Sequence, residues 1–192
     1  EKTTDNNGNY TVALSGGSTF NITATAWGYK PQLMSNVALG ATPTFELEKG
    51  LVDDFTTDLG WTTAATASGG YWTRGIPKGT QINGNPSNPD KDAEGDMGNT
   101  AFVTGNSGTA AGDDDVDNGL VLLTSPKMQL SPYAKINITL SHWFVNDGGN
   151  TTPNDNLTRS LSNGITAYML GNITASTSAW VEQTYTVTVN DI

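Results

Sequence analysis

The stretch KINITLSHWFV, Lys135 to Val145, decides the fold class. Ile136, Ile138, Leu140 and Phe144 fall on one side of an extended chain, and Asn137, Thr139 and Ser141 on the other. A period of two is the signature of a half-buried strand, because successive side chains point to opposite faces of a sheet. His142 sits on the apolar side between Leu140 and Phe144. A buried, hydrogen-bonded structural role is expected of it there.

The same pattern recurs on either side. WVEQTYTVTV (Trp180 to Val189) alternates equally well, and so do YTVAL (Tyr10 to Leu14) and TFNITATAWGY (Thr19 to Tyr29), joined by the turn signal SGG. In that first pair Tyr10 and Val12 are expected to point inward. LTRSLSNGITAYML (Leu157 to Leu170) reads as a hairpin turning at Asn163-Gly164, a dipeptide suited to the positive φ of a type I′ turn. No useful run shows a 3.6-residue period, so the chain is expected to be all-β.

Composition excludes several functions. The chain of 192 residues has no Cys, which removes disulfides, thiol catalysis and Cys-based metal sites. It has one His, so a zinc peptidase site, a Ser-His-Asp triad or a Cys-His dyad cannot be assembled within it. A net charge of −10 opposes nucleic-acid binding, which needs a basic patch. No segment is apolar enough to insert in a membrane as a helix. A carboxylate pair able to cleave glycosides needs one carboxyl kept protonated in an apolar pocket, whereas the acids here lie in polar, Gly-rich loops. No enzymatic activity is expected.

The negative charge is local. Eight of the 19 acids lie between residues 90 and 117, opposed there by Lys91 alone. TGNSGTAAGDDDVDNG (Thr104 to Gly119) puts Asp113, Asp114, Asp115 and Asp117 into five positions. Such crowding becomes favourable when a hard cation neutralises it, and calcium takes oxygen ligands at flexible angles. Asp113, Asp115 and Asp117 alternate and would present oxygens on one side of an extended loop, with Asn118 adding a carbonyl. DKDAEGD offers Asp90, Asp92, Glu94 and Asp96 in a similar alternation. Neither is an EF-hand: in the first Gly119 falls one place late and Thr124 stands where the Glu belongs, and in the second the Gly is in place but Ala101 takes the Glu position. The alternative reading of both loops is a solvated acidic surface kept for solubility.

A boundary falls near FELEKGLVDDF, which divides the chain into residues 1–50 and 51–192. The first part, through TDNNGNYTVALSGGSTFNITATAWGYKPQ, resembles the carboxypeptidase regulatory-like domain, a transthyretin-like β-sandwich. The resemblance implies a module lacking its usual upstream strand. The second part resembles the jelly-roll β-sandwich modules of secreted bacterial peptidases and adhesins, of cleaved-adhesin and MAM-like kind. DDFTTDLGWT, GGYWTRGIP, NTAFVTGNSG, DDDVDNGLVLLTSPKMQLS, ITLSHWFVND and NDNLTRSLSNG carry it, in the expected order. It implies calcium in both acidic loops, a further ligand from Asp53 or Asp54, and a missing closing strand pair. It also implies an extracellular or cell-surface setting in a Bacteroidota-like protein.

The function expected from these readings is a non-catalytic adhesion, spacer or accessory module. Its partners would be other domains of the same chain or neighbouring subunits. One alternative is a carbohydrate-binding module that stacks a polysaccharide on Tyr71 and Trp72 beside Arg74, with core packing as the competing role for Trp72. Another is a fibre subunit assembled by β-strand addition. Asn-x-Ser/Thr sequons occur at Asn9, Asn21, Asn137, Asn150, Asn156 and Asn172. The long polar loop that contains Asp147 and Asp155 reads as a connection.

Overall fold

A computed structural model describes residues 1–147 and 154–192. The sequon at Asn150 and the middle of the polar loop around it lie outside the described residues. The chain divides into two compact units, Glu1–Gly60 and Trp61–Ile192. The fold is all-β.

In the first unit β1 (Thr19–Ala24) pairs antiparallel with β2 (Gln32–Ala38). The register slips between Phe20 and Ile22, opposite Asn36 in the left-handed region at φ 58°. That is a bulge on β2, and the Asn21 side chain accepts the Asn36 N–H there at 3.2 Å. Gly28, at φ 87°, turns the chain into a single bridge between Tyr29 and Lys49. The chain turns at Asp5 to Gly8, with Asp5 Oδ1 accepting the N–H groups of Asn7 and Asn9. Tyr10–Leu14 is not a strand, and Val12 points outward rather than inward. Alternation gives a strand only where another strand pairs with it, and among the described residues none pairs with Tyr10–Leu14.

The second unit opens with β3 (Thr62–Ala65), β4 (Trp72–Gly75), β5 (Gln81–Ile82), β6 (Asn85–Pro86) and β7 (Ala101–Thr104). A single helical turn α1 (Ala111–Asp114) precedes β8 (Val121–Thr124), β9 (Lys135–His142), β10 (Leu157–Ser162), β11 (Ala167–Ile173) and β12 (Val181–Thr188). Among the described residues these strands form antiparallel pairs: β3 with β8, β4 with β7, β5 with β6, β9 with β12, and β10 with β11. β4 runs alongside β8 without bonding to it.

The Lys135 stretch forms a strand over Lys135–His142, ending three residues short of Val145. β9 and β12 match residue for residue from Lys135↔Thr188 to His142↔Val181. One face carries Ile136, Ile138, Leu140 and His142 with Val187 and Tyr185. The other is a solvated row in which Thr139 bonds Thr184 and Thr186 bonds Asn137. The hairpin at Asn163 also forms, but its turn is not type I′. The loop spans four residues, and of its two central candidates only Gly164 has positive φ. Asn163 uses its side chain instead, accepting the N–H groups of Ile165 and Thr166 at 2.9 Å.

The two ladders pack face to face. Arg159 of β10 lies 5.0 Å over the Tyr185 ring of β12, and its Nη2 donates to Gln183 Oε1 at 3.0 Å. A Cβ at Gly171 of β11 would sit 2.9 Å from Tyr185 Oη, so the aromatic ring uses space that glycine leaves open. Val187 is fully buried; Ala67, Ala101 and Val103 are the other buried apolar residues among the described residues. The chain exposes 12598 Å². Two compact bodies of these lengths would expose about 10,400 Å². Exposed apolar side chains such as Leu120 at 77% and Ile165 at 92% contribute to the excess.

Candidate functional site

Thr104–Gly119 is held by backbone contacts against the turn that follows β3. Thr66 and Ala67 donate to Leu120 O, Ser68 donates to Asp117 O at 2.8 Å, and Gly105 donates to Tyr71 O. Two glycines allow this approach. A Cβ at Gly70 would lie 2.2 Å from Asp115 O, and one at Gly119 would lie 2.6 Å from Ala67 N.

The four aspartates separate by role. Asp114 is 1% exposed, with Oδ1 accepting the Ser107 N–H at 2.7 Å and Oδ2 the Gly108 N–H at 3.3 Å. Gly105, at φ 73°, makes room for it; a Cβ there would come within 2.4 Å of Asp114 Oδ1. Asp113 accepts the Thr109 hydroxyl. Asp115 and Asp117 are exposed, and Asn118 turns at φ 52° to bring its amide 3.4 Å from Ser68 Oγ. Burial, and then the charges of Asp117, Asp113 and Asp114, push the Asp115 carboxyl above the ordinary range.

The second acidic loop is also tied to its own surroundings. Glu94 pairs with Lys91 at 3.2 Å, Asp92 Oδ1 accepts the Ala93 N–H at 2.8 Å, and Asp90 lies against Gly79. Glu94 and Asp96 are exposed. Asp54 belongs to the first unit, where its buried carboxylate accepts the Thr56 N–H at 3.0 Å; Asp53 accepts that of Phe55.

Among the described residues no group of three or more His, Asp or Glu side chains is placed to hold a metal ion. The oxygens of Asp113 and Asp114 already serve O–H and N–H donors of the loop. The side chains of Asp113, Asp115 and Asp117 are thus not gathered into one ligand group in this arrangement.

Tyr71 and Trp72 do not share a face. Tyr71 is 52% exposed and donates its hydroxyl to Ala67 O at 3.3 Å. Trp72 and Arg74 are half-buried on the opposite side of β4 from exposed Thr73. His142 is 8% exposed, with Nδ1 at 3.4 Å from Arg159 Nη1. A guanidinium only donates, so Nδ1 accepts and the proton of the neutral ring sits on Nε2. Burial and then Arg159 hold the imidazole below its ordinary pKa.

No protein family, curated protein or solved structure matches this chain.

Two structural residues escape the sequence reading. Asp114 ends the helical turn α1, so its inward placement follows from that turn and not from the alternation of the acidic run. Asn106, at φ 83°, accepts the Lys78 N–H at 2.8 Å and donates to Ile76 O at 3.0 Å, completing a rung that backbone alone would leave open. Nothing in local sequence marks it.

Proposed function

We propose that this chain is a non-catalytic β module of a secreted or cell-surface protein, serving as an adhesion, spacer or accessory domain. The observation that carries the reading is how the acids are used. Asp5, Asp53, Asp54, Asp58, Asp92 and Asp114 each accept a backbone N–H from their own loop. Carboxylates used this way shape turns and close loops, which is scaffold chemistry rather than proton transfer to a substrate.

The two-module resemblance, regulatory-like then jelly-roll, supports the same role and supplies its extracellular setting. A sugar platform gains nothing from the half-buried Trp72.

The test is turnover. Panels of peptide and glycoside substrates are expected to remain intact with the purified chain. Sustained hydrolysis of any of them, lost on substitution of a single carboxylate, would overturn the reading.

A further inference from the structure

One whole face of the β3–β8 ladder is uncovered. Thr62, Ala64, Thr66, Leu120, Leu122 and Thr124 are all exposed, Leu120 to 77% and Leu122 to 59%. The edge is open as well. The Thr66 N–H bond to Leu120 O sets the parity of the ladder, so Thr62 and Ala64 turn their backbone groups toward β8. Thr63 and Ala65 turn theirs away, where no described strand pairs with β3.

Natural sheet edges are usually blunted by a charge, a proline or a bulge. Thr62 to Ser68 contains neither charge nor proline, and the β3–β8 register runs without a shift. Beyond the C-terminal end of β3 lies the acidic loop, held on its β8 side by the Ser68 bond to Asp117 O. The exposed Asp113, Asp115 and Asp117 have no Lys or Arg within the 104–119 segment to offset them.

We propose that β3 is the docking edge for an extended, Lys- or Arg-bearing polypeptide segment, which adds beside it as a third strand. Backbone pairing with Thr63 and Ala65 supplies the attachment, and alternate side chains extend the sheet face next to Ala64 and Leu122. Added antiparallel, the segment brings its N-terminal residues beyond Ala65 toward Asp115 and Asp117, so its basic residues belong there. Charge sets the choice of partner. A second copy of this chain carries the same −10 and presents no cation along this edge, whereas a basic strand is complementary. The inference rests on the module reading and names the chemistry of the contact that such a module makes.

The experiment is an amide-exchange titration of the whole chain at low salt. Two synthetic peptides of alternating Val and Thr serve as probes, one with Lys residues at its N-terminus and one with Glu there. The Lys peptide is expected to slow exchange at Thr63 and Ala65 and to bind about tenfold or more tighter than the Glu peptide. Thr63→Pro removes an outward N–H without touching a bond to β8, and should abolish that protection while β9 and β12 exchange as before. Ala65→Lys, which adds a like charge at the edge, should weaken the Lys peptide even if the proline variant does not fold. Equal binding of both peptides, protection elsewhere than β3, or self-association of the chain through this edge would overturn the proposal. None of those outcomes produces hydrolysis, so failure here is separable from failure of the non-catalytic reading.

Discussion

Trp143 and Trp180 meet edge to face with their ring centroids 6.1 Å apart, and both indoles donate into the same stretch of chain. Trp143 Nε1 bonds Ser87 O at 2.5 Å and Trp180 Nε1 bonds Lys91 O at 2.9 Å. Trp143 follows β9 and Trp180 precedes β12, so the neighbouring ends of this ladder share one clasp on residues 87–91. The aromatic pair thereby fixes the segment leading into the second acidic loop.

Trp143→Phe and Trp180→Phe keep a ring but delete the donor. Each is expected to lower stability by about 1–2 kcal/mol in urea unfolding, since a carbonyl loses its partner. The double variant should cost less than the sum, because the two rings touch. Strict additivity would mean that the clasp is not one unit.

Asp114→Ala leaves the Ser107 and Gly108 amides without their acceptor. The expected loss is about 2–3 kcal/mol, the range for hydrogen bonds to a charged group. Gly105→Ala should destabilise as well, through both its positive φ and the approach to Asp114. A neutral result for Asp114→Ala in a denaturant melt would show that the loop is closed by other means.

Asp115 offers a test of sign. Its carboxyl is crowded by Asp117, Asp113 and Asp114, so Asp115→Asn should slightly raise the melting temperature at neutral pH, an effect that fades in high salt. Chelator should leave the wild-type melt unchanged. A calcium cradle at this loop would reverse both results: the substitution would destabilise, and chelator would lower the melting temperature.

His142 predicts an acid-sensitive fold. Its folded-state pKa lies below the ordinary 6.5, so the folded chain binds fewer protons than the unfolded chain in that range. Stability is then complete above the unfolded value and is lost as pH falls below it. Arg159 is the charged group that acts on the ring, and protonation would set two cations side by side between the ladders. Melting temperature should fall between about pH 7 and pH 5. His142→Gln should flatten that slope, and a slope unchanged in the variant would assign the acid sensitivity to another group.

What was legible in the sequence followed from long alternation. Ile136, Ile138, Leu140 and their partners on β12 needed only a period of two to reveal both strands and the buried position of His142. Tyr10–Leu14 has the same pattern over a shorter run, but a strand also requires a neighbour that pairs with it, which is a tertiary fact. In the acidic run the sequence shows the charge and the alternation of Asp113, Asp115 and Asp117. The run's backbone contacts with Ser68 and Gly70 come from residues some fifty places away, and no local pattern reports them. The turn at Asn163 was found where Asn-Gly stood, while the side-chain capping that replaces the type I′ geometry depends on the loop having four residues.

Gly171 and Tyr185 constrain one another sterically. The phenol ring lies beneath Arg159 with its oxygen against the bare Cα across the sandwich, so each position dictates what the other can be. A lineage that lost the glycine would have to shed the hydroxyl, or let the layers drift apart.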